Sequence, residues 1–258
     1  MKIFYSENTV DYSTYTFNYA IYCKKESQAE LTDIYEKGFL PYSGNLDIEG
    51  DIFYLARSLR VDLNRFDDTS ENRRVNRLIE PLNIQVEVIE KANFDLNNAD
   101  FLNFCENYIS QRIGEDNMSM ERWLYILSRE LGTHIFQFTI DNKVVGYVLA
   151  AMNTELLHYW FSFFDTEYMK TYSLGKWMMW RVIRWAKDNG LQQVYLGTAY
   201  KPSALYKIRD HKGLSFFDGY SWNQDVKLLK NLCEHDLDPK TMDRFKLESN
   251  PSEFLRNL

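Results

Sequence analysis

Apolar positions recur with two different periods along the chain, and the period decides which element each stretch can form. Spacings of three and four mark helices. Leu31, Ile34 and Tyr35 share one face behind the capping box Ser27-Gln28-Ala29-Glu30, and Gly38 closes that helix. Phe101, Leu102, Cys105, Tyr108 and Ile109 predict an amphipathic helix over 99–113 with Asn98 or Asp100 as cap. Met120, Trp123, Leu124, Leu127 and Leu131 predict another over 119–131, closed by Gly132. Leu174, Met178, Met179, Val182, Ile183, Trp185 and Ala186 give a third, with Ser173 as N-cap and Gly190 as terminator. Trp177, Arg181, Arg184, Lys187 and Asp188 fall on its opposite side. Alternation marks strands over 84–89, 134–140, 143–151, 155–164 and 193–197, with a hairpin turn at Asp141-Asn142. Earlier, 59–63 also alternates, and a helix starts at Ser70. Beyond Gly197 the pattern is irregular until two short strands in 213–222 and a helix over 226–233. Residues 234–258 are acidic and polar, a packed tail or a lid.

Composition narrows the class. With 258 residues, 45% apolar and 16% aromatic, the chain can bury a sizeable core. Three scattered cysteines (Cys23, Cys105, Cys233) make neither a disulfide framework nor a zinc pattern, which points to a reducing cytoplasm. The four histidines form no ligand-spaced pair, so no metal is expected. The start lacks a signal-peptide pattern, and no apolar run approaches the roughly 18–20 residues of a membrane span. Net charge is −7, which argues against a general nucleic-acid coat. Yet nine basic residues between 168 and 212 (Lys170, Lys176, Arg181, Arg184, Lys187, Lys201, Lys207, Arg209, Lys212) are opposed in sequence only by Asp188 and Asp210. That is either a basic patch for phosphates or a solvated helix face with a polar loop.

The loop 170–175 leads into the third helix and then into a strand ending at Gly197. Unpaired N–H groups at such a helix start, with the positive end of its dipole, make an anion or oxyanion cradle. GNAT acyltransferases place Arg/Gln-x-x-Gly-x-Gly/Ala at this turn to hold the pyrophosphate of coenzyme A. Here it reads Lys170-x-x-Ser173-x-Gly175, with one glycine instead of two. The order strand, two helices, antiparallel strands, then strand, cradle, helix, strand also resembles GNAT. This resemblance implies an α+β fold, a mixed sheet flanked by helices. Its fourth strand (156–164) would separate from the fifth (193–196) to open a wedge for the donor.

Short words in order bring a narrower resemblance. Ser173-Leu174-Gly175, then Tyr195-Leu196-Gly197, then Leu205-Tyr206-Lys207 resemble the C-terminal domain of the arginyl-tRNA–protein transferases. Gly38-Phe39, Ser43-Gly44, Arg60-Val61, Phe66 and Arg73-Arg74 resemble their N-terminal domain. Two departures stand out. The family's Arg-Arg before Ser-Gly is Pro41-Tyr42 here, and its cysteines are absent, with Ala56 and Ser58 in that region. No metal, cluster or haem function attributed to those cysteines carries over. The implied organisation is a smaller N-terminal α/β domain (1–83), which could be a partial second GNAT-like unit, a GNAT-like catalytic domain (84–222), and a C-terminal helix and tail (223–258).

The resemblance implies transfer of an aminoacyl group from aminoacyl-tRNA to the N-terminal amine of an acceptor protein, with no cofactor and no membrane. Two alternatives stay open: a GNAT N-acyltransferase using acetyl-CoA or another acyl-CoA, and a non-catalytic descendant that binds RNA or a peptide. Tyr200 and Tyr206 are candidate acids, because a leaving hydroxyl or thiol needs a proton. Lys170, Ser173, Leu174, Gly175, Lys176, Gly197 and Lys207 are candidate donor-binding groups. Arg181 and Arg184 are candidate RNA contacts, while Trp177 and Trp180 either stack on an adenine or pack against the N-terminal domain. Glu155 and Asp165, near the ends of the fourth strand, are candidate amine-binding or basic carboxylates. Cys105 falls on an apolar helix face and reads as core.

Overall fold

The computed structural model describes residues 1–11, 16–44 and 50–236. The chain begins with strands β1 (Lys2–Asp11) and β2 (Thr16–Lys24), helix α1 (Leu31–Glu36), and strands β3 (Phe39–Pro41), β4 (Ile52–Leu55) and β5 (Ser58–Asp62). Next come α2 (Ser70–Ile79), β6 (Gln85–Glu90), α3 (Ala99–Tyr108) and α4 (Met120–Ser128). Strands β7 (His134–Ile140), β8 (Lys143–Met152) and β9 (Leu156–Phe164) lead to α5 (Glu167–Tyr172), α6 (Leu174–Asp188) and β10 (Gln193–Thr198). The chain closes with α7 (Leu205–Ile208), β11 (Leu214–Phe217), β12 (Trp222–Asn223) and α8 (Val226–His235).

Contacts divide the chain into two units, cut elsewhere than at 83/84 and 222/223. One comprises Met1–Asp62, Leu196–Arg209 and the chain from Gly213; the other comprises Leu63–Tyr195 and Asp210–Lys212. The first contains an antiparallel sheet in the order β1-β2-β4-β3, and β11 pairs antiparallel with both β12 and β5. Strands β1 and β2 have no counterpart in the sequence reading. Leu31, Ile34 and Tyr35 are buried as their spacing requires, and the Ser27/Glu30 capping box forms. Gly38 has φ +84°, and a Cβ there would lie 2.4 Å from a ring carbon of Phe217. Both its backbone conformation and its lack of a side chain are needed.

In the second unit the strand order is β10-β9-β8-β7-β6, with β10 parallel to β9 and the other pairs antiparallel. The β7–β8 hairpin turns at Asp141 (φ 47°) and Asn142 (φ 67°), which suits the twist of a two-residue turn. Alternation assigns the faces. Ile135, Tyr147, Leu149 and Phe163 join Phe101, Cys105, Trp123 and Leu127 of α3 and α4 in one core. Phe136 and Phe138 point the other way, onto Trp185 and Trp177 of α6, with ring centroids 5.0 and 6.0 Å apart. The sheet is therefore covered by helices on both faces, and the expected α+β architecture holds. The helix predicted over 99–113 ends at Tyr108 and continues as a π-helical turn, Ile109–Ile113. Cys105 is fully buried, and burial pushes its thiol pKa up.

Candidate functional site

Strands β9 and β10 run parallel for three residue pairs only: Gln193 with Leu156, Val194 with Leu157, Tyr195 with His158. At the entry, the N–H groups of Gln192 and Gln193 both donate to the Glu155 carbonyl, at 2.7 and 3.3 Å. Past His158, strand β9 runs on to Phe164 without β10 beside it. Two residues further along, β9 is irregular. On the β8 side, Ala150 opposes Tyr159 and Leu149 opposes Phe161, so Trp160 is an extra residue, a β-bulge. A bulge bends its strand and adds local twist. The described β9–β10 pairs thus end just before a bulge in β9.

At the end of β9, helices α5 and α6 are joined by the single residue Ser173. Ser173 takes a left-handed conformation (φ 54°, ψ 43°) and makes no side-chain cap bond, so the predicted N-cap role is not realised. Its carbonyl instead accepts from the N–H groups of Lys176 and Trp177, at 3.0 and 3.1 Å, and its own N–H donates to the Met169 carbonyl. The N–H groups of Leu174 and Gly175 find no acceptor among the described residues. The junction therefore presents two donors at a positive helix end. Leu174 is buried. A Cβ at Gly175 would sit 2.5 Å from the Phe164 ring, so this glycine lets the helix start close against the end of β9.

Three of the nine basic residues of this region, Lys176, Arg184 and Lys212, are answered by acids. Lys176 Nζ pairs with Glu71 (2.9 Å) and Asp210 (2.7 Å). Arg184 pairs with Asp68 at 2.5 Å, Lys212 pairs with Asp67 at 3.0 Å, and Lys187 donates to the Phe66 carbonyl. Arg74, together with Lys176, holds the Glu71 carboxyl down at about 2. Beside this cluster, burial pushes the His211 imidazole down to about 4, so it is neutral at physiological pH. Trp177 and Trp180 are buried, and their indole N–H groups donate to Asn76 (3.0 Å) and Asp68 (2.8 Å). They pack against the 63–83 segment and present no face to a base. Arg184 is likewise tied down. Arg181 makes no ion pair among the described residues, and Lys170 is exposed on α5.

The remaining candidates belong to the other unit. Gly197 has φ +79° near the end of β10. The Tyr200 hydroxyl accepts from the Arg57 backbone N–H (2.9 Å), and the Arg57 guanidinium lies over the Tyr200 ring at 4.7 Å. Tyr200 is thereby engaged in holding the loop, whereas Tyr206 is 57% exposed and accessible to a substrate. Lys207 is half-buried, and its Nζ donates to the Thr198 carbonyl at 3.3 Å. Burial pushes its pKa down to about 8, and no carboxylate pairs with it among the described residues.

A chemical consequence follows. The charged form is disfavoured in the folded state, so stability should rise as pH climbs from about 8 toward the unfolded value near 10.4. Amine-reactive labelling followed by mass spectrometry is expected to show Lys207 modified with a midpoint near pH 8. A lysine in a short unstructured reference peptide responds at about pH 10.4. A midpoint shared by Lys207 and the reference would remove the claim that Lys207 is buried away from a carboxylate.

Glu155 is exposed at the entry to β9, away from the bulge. Asp165, just past the other end, accepts from Lys143 at 3.1 Å and borders a cleft of about 370 Å³. Sequence reading missed the bulge, the Glu71/Asp210/His211 cluster and the cleft. Residues 156–164 are almost continuously apolar, so the alternation pattern carried no signal of the bulge.

Residues 113–207 match the model of an acetyltransferase (GNAT) domain. No curated protein matches the sequence. Similar solved structures include the C-terminal DUF2156 domain of a protein from Agrobacterium fabrum (13% identity, TM-score 0.40, covering 69% of this chain and 54% of that one). Others are L-PGS from Bacillus licheniformis (12%, TM-score 0.42, covering 68% and 51%) and FemX (10%, TM-score 0.43, covering 69% and 63%). The chain thus spans about half to two thirds of the structures it is similar to. These are likenesses of fold, and nothing about substrate follows from them. The fold is GNAT-like, and the domain is one of acyl transfer.

Proposed function

We propose that the chain moves an aminoacyl group from aminoacyl-tRNA to an amine, the N-terminal amine of an acceptor protein. The observation that carries acyl transfer is the end of β9–β10 pairing at His158/Tyr195, followed at once by the bulge at Trp160. In such a step the acceptor amine attacks the donor carbonyl, and a tetrahedral oxyanion forms and collapses. The amine's proton and the leaving oxygen's proton must be exchanged through a nearby group. Backbone N–H groups are the natural stabilisers of the oxyanion, and the bulged stretch of β9 and the start of α6 both supply backbone there. Tyr206, which is exposed, and Lys207, whose pKa burial pushes down to about 8, belong to the other unit and are given no place in this step.

The choice of tRNA over coenzyme A is supported by the words shared with the arginyl-tRNA–protein transferases at 173–175, 195–197 and 205–207. It is also supported by the junction itself. One glycine instead of two, and a Lys176 already neutralised by Glu71 and Asp210, make a poor seat for a pyrophosphate. The second reading, an N-acyltransferase using an acyl-CoA, is favoured by the match of 113–207 to an acetyltransferase domain.

Two labelled donors separate them: a pool of charged tRNAs and acetyl-CoA, each offered to model proteins with acidic or basic N-termini. Incorporation from the tRNA pool alone is the expected result, and the labelled residue names the donor. Incorporation from acetyl-CoA alone would replace the proposal by the second reading. Silence in both arms would overturn catalysis on these acceptors.

A further inference from the structure

We propose that the cleft at the end of β9 is a subsite for a positively charged side chain, Lys or Arg, carried by the acceptor within its first few residues. The cleft encloses about 370 Å³, at the small end of the range for ligand pockets and ample for one long side chain. Phe104, Asn107, Tyr108 and Gln111 line it from α3 and the π-helical turn, and Phe164 and Asp165 from the end of β9, so aromatic rings and polar groups sit side by side in the lining. Aromatic faces beside a carboxylate suit a cation with an apolar stem, and Arg can stack as well as pair.

The polar groups are held in place before any ligand arrives. Asp165 Oδ1 accepts from the Glu167 N–H (3.0 Å), which leaves Oδ2 turned to Lys143 (3.1 Å). The Thr166 hydroxyl donates to Gln111 Oε1 (3.0 Å), joining the π-helical turn after α3 to the loop after β9. A π-turn inside a helix often marks a functional site. Lys143 is the existing counter-ion of Asp165, but its side chain is 63% exposed, and a pair of that kind is weak. It occupies the rim as a placeholder that an incoming cation can displace.

Phe164 connects the cleft to the proposed reaction path. Its ring lines the cleft on one side and excludes a Cβ at Gly175, in the first turn of α6, on the other. From the bulge at Trp160 to Phe164 is four residues, about 13 Å of strand. An acceptor whose amine is acylated at the bulge would reach the cleft with a long basic side chain a few residues behind. The carboxylates Asp165 and Glu167 make the same cleft unsuited to donor phosphates. The inference rests on the acyl-transfer reading for what carries the cation, and its test involves no turnover.

The probes are N-acetyl-arginine amide and N-acetyl-lysine amide, with N-acetyl-norleucine amide as neutral isostere, titrated by NMR into the full chain and two variants. Saturable shifts confined to 104–111, 143–144 and 164–167 are expected from the charged probes and none from norleucine. Asp165→Asn should weaken binding at least tenfold. Lys143→Ala should strengthen it about threefold, because the resident competitor is gone. Equal binding of norleucine, indifference to Asp165→Asn, or weaker binding in Lys143→Ala would each overturn the subsite. The last arm does not depend on how Asp165→Asn folds, and none of the three outcomes bears on whether the chain transfers acyl groups.

Discussion

Replacing Arg57 by alanine is expected to cost about 3–5 kcal/mol of stability, the usual penalty for stranding one partner of a buried ion pair. For a chain of this size that is a fall in melting temperature of roughly 6–20 °C. Arg57 is 3% exposed and pairs through both terminal nitrogens with Asp236, at 2.8 and 3.1 Å. The same guanidinium donates to the Ala199 carbonyl (3.1 Å) and covers the Tyr200 ring. Asp236 also accepts from the Lys201 N–H at 2.8 Å, and Lys201 takes an uncommon positive φ of 63°. One buried pair therefore fixes the end of α8 and the loop 199–201 together. The double variant Arg57→Met/Asp236→Leu keeps the volume without a buried charge and should recover most of the loss. Thermal unfolding followed by circular dichroism, with a urea titration for the free energy, reads both. If Arg57→Ala melts within about 2 °C of the parent, the pair is not buried as described.

That pair also shows where the sequence was legible and where it was not. Local rules worked where the partner is local: the capping box at Ser27/Glu30, the Asn98 cap, the hairpin at Asp141-Asn142, and the apolar faces of α1, α3 and α4. They failed where the partner is far along the chain. Arg57 and Asp236 are 179 residues apart, Lys176 and Glu71 105, and Arg184 and Asp68 116. A charge count over 168–212 sees the bases and misses Asp67, Asp68 and Glu71, which lie at or just before the start of α2 and answer Lys212, Arg184 and Lys176. Helix periodicity misjudged α6 for a related reason. It assigned Trp177 to a polar face, but α2 and the segment before it cover that side, and Asn76 and Asp68 meet the indole N–H groups. The words at 173–175 and 195–197 fall at the α5–α6 junction and in β10. Ser173, however, serves there through its backbone, and its hydroxyl caps nothing.

Deleting Trp160 is expected to leave a folded protein and to lower acyl transfer by about 100-fold to 1,000-fold, the usual effect of losing an oxyanion donor. The register explains why the fold survives. Tyr159 already opposes Ala150, and Phe161 already opposes Leu149, so removing the residue between them joins two existing pairs into a regular ladder. The pairs Ser162–Val148, Phe163–Tyr147 and Phe164–Gly146 keep their partners, and Phe163 keeps its place in the core with Trp123 at 4.6 Å. What disappears is the bend. A straight β9 would no longer turn away from β10 after His158, and the unpaired stretch that a donor needs would close. The Trp160 side chain itself is half-buried and touches Phe161 and His158 at ring distances of 5.5 and 6.2 Å. Trp160→Ala removes those contacts but keeps the bulge, so it should lose stability and retain most of its activity. Transfer assays with whichever donor proves active, read beside melting curves for both variants, distinguish the two roles. Should Trp160→Ala lose as much activity as the deletion, the indole and not the bend would be what the reaction requires.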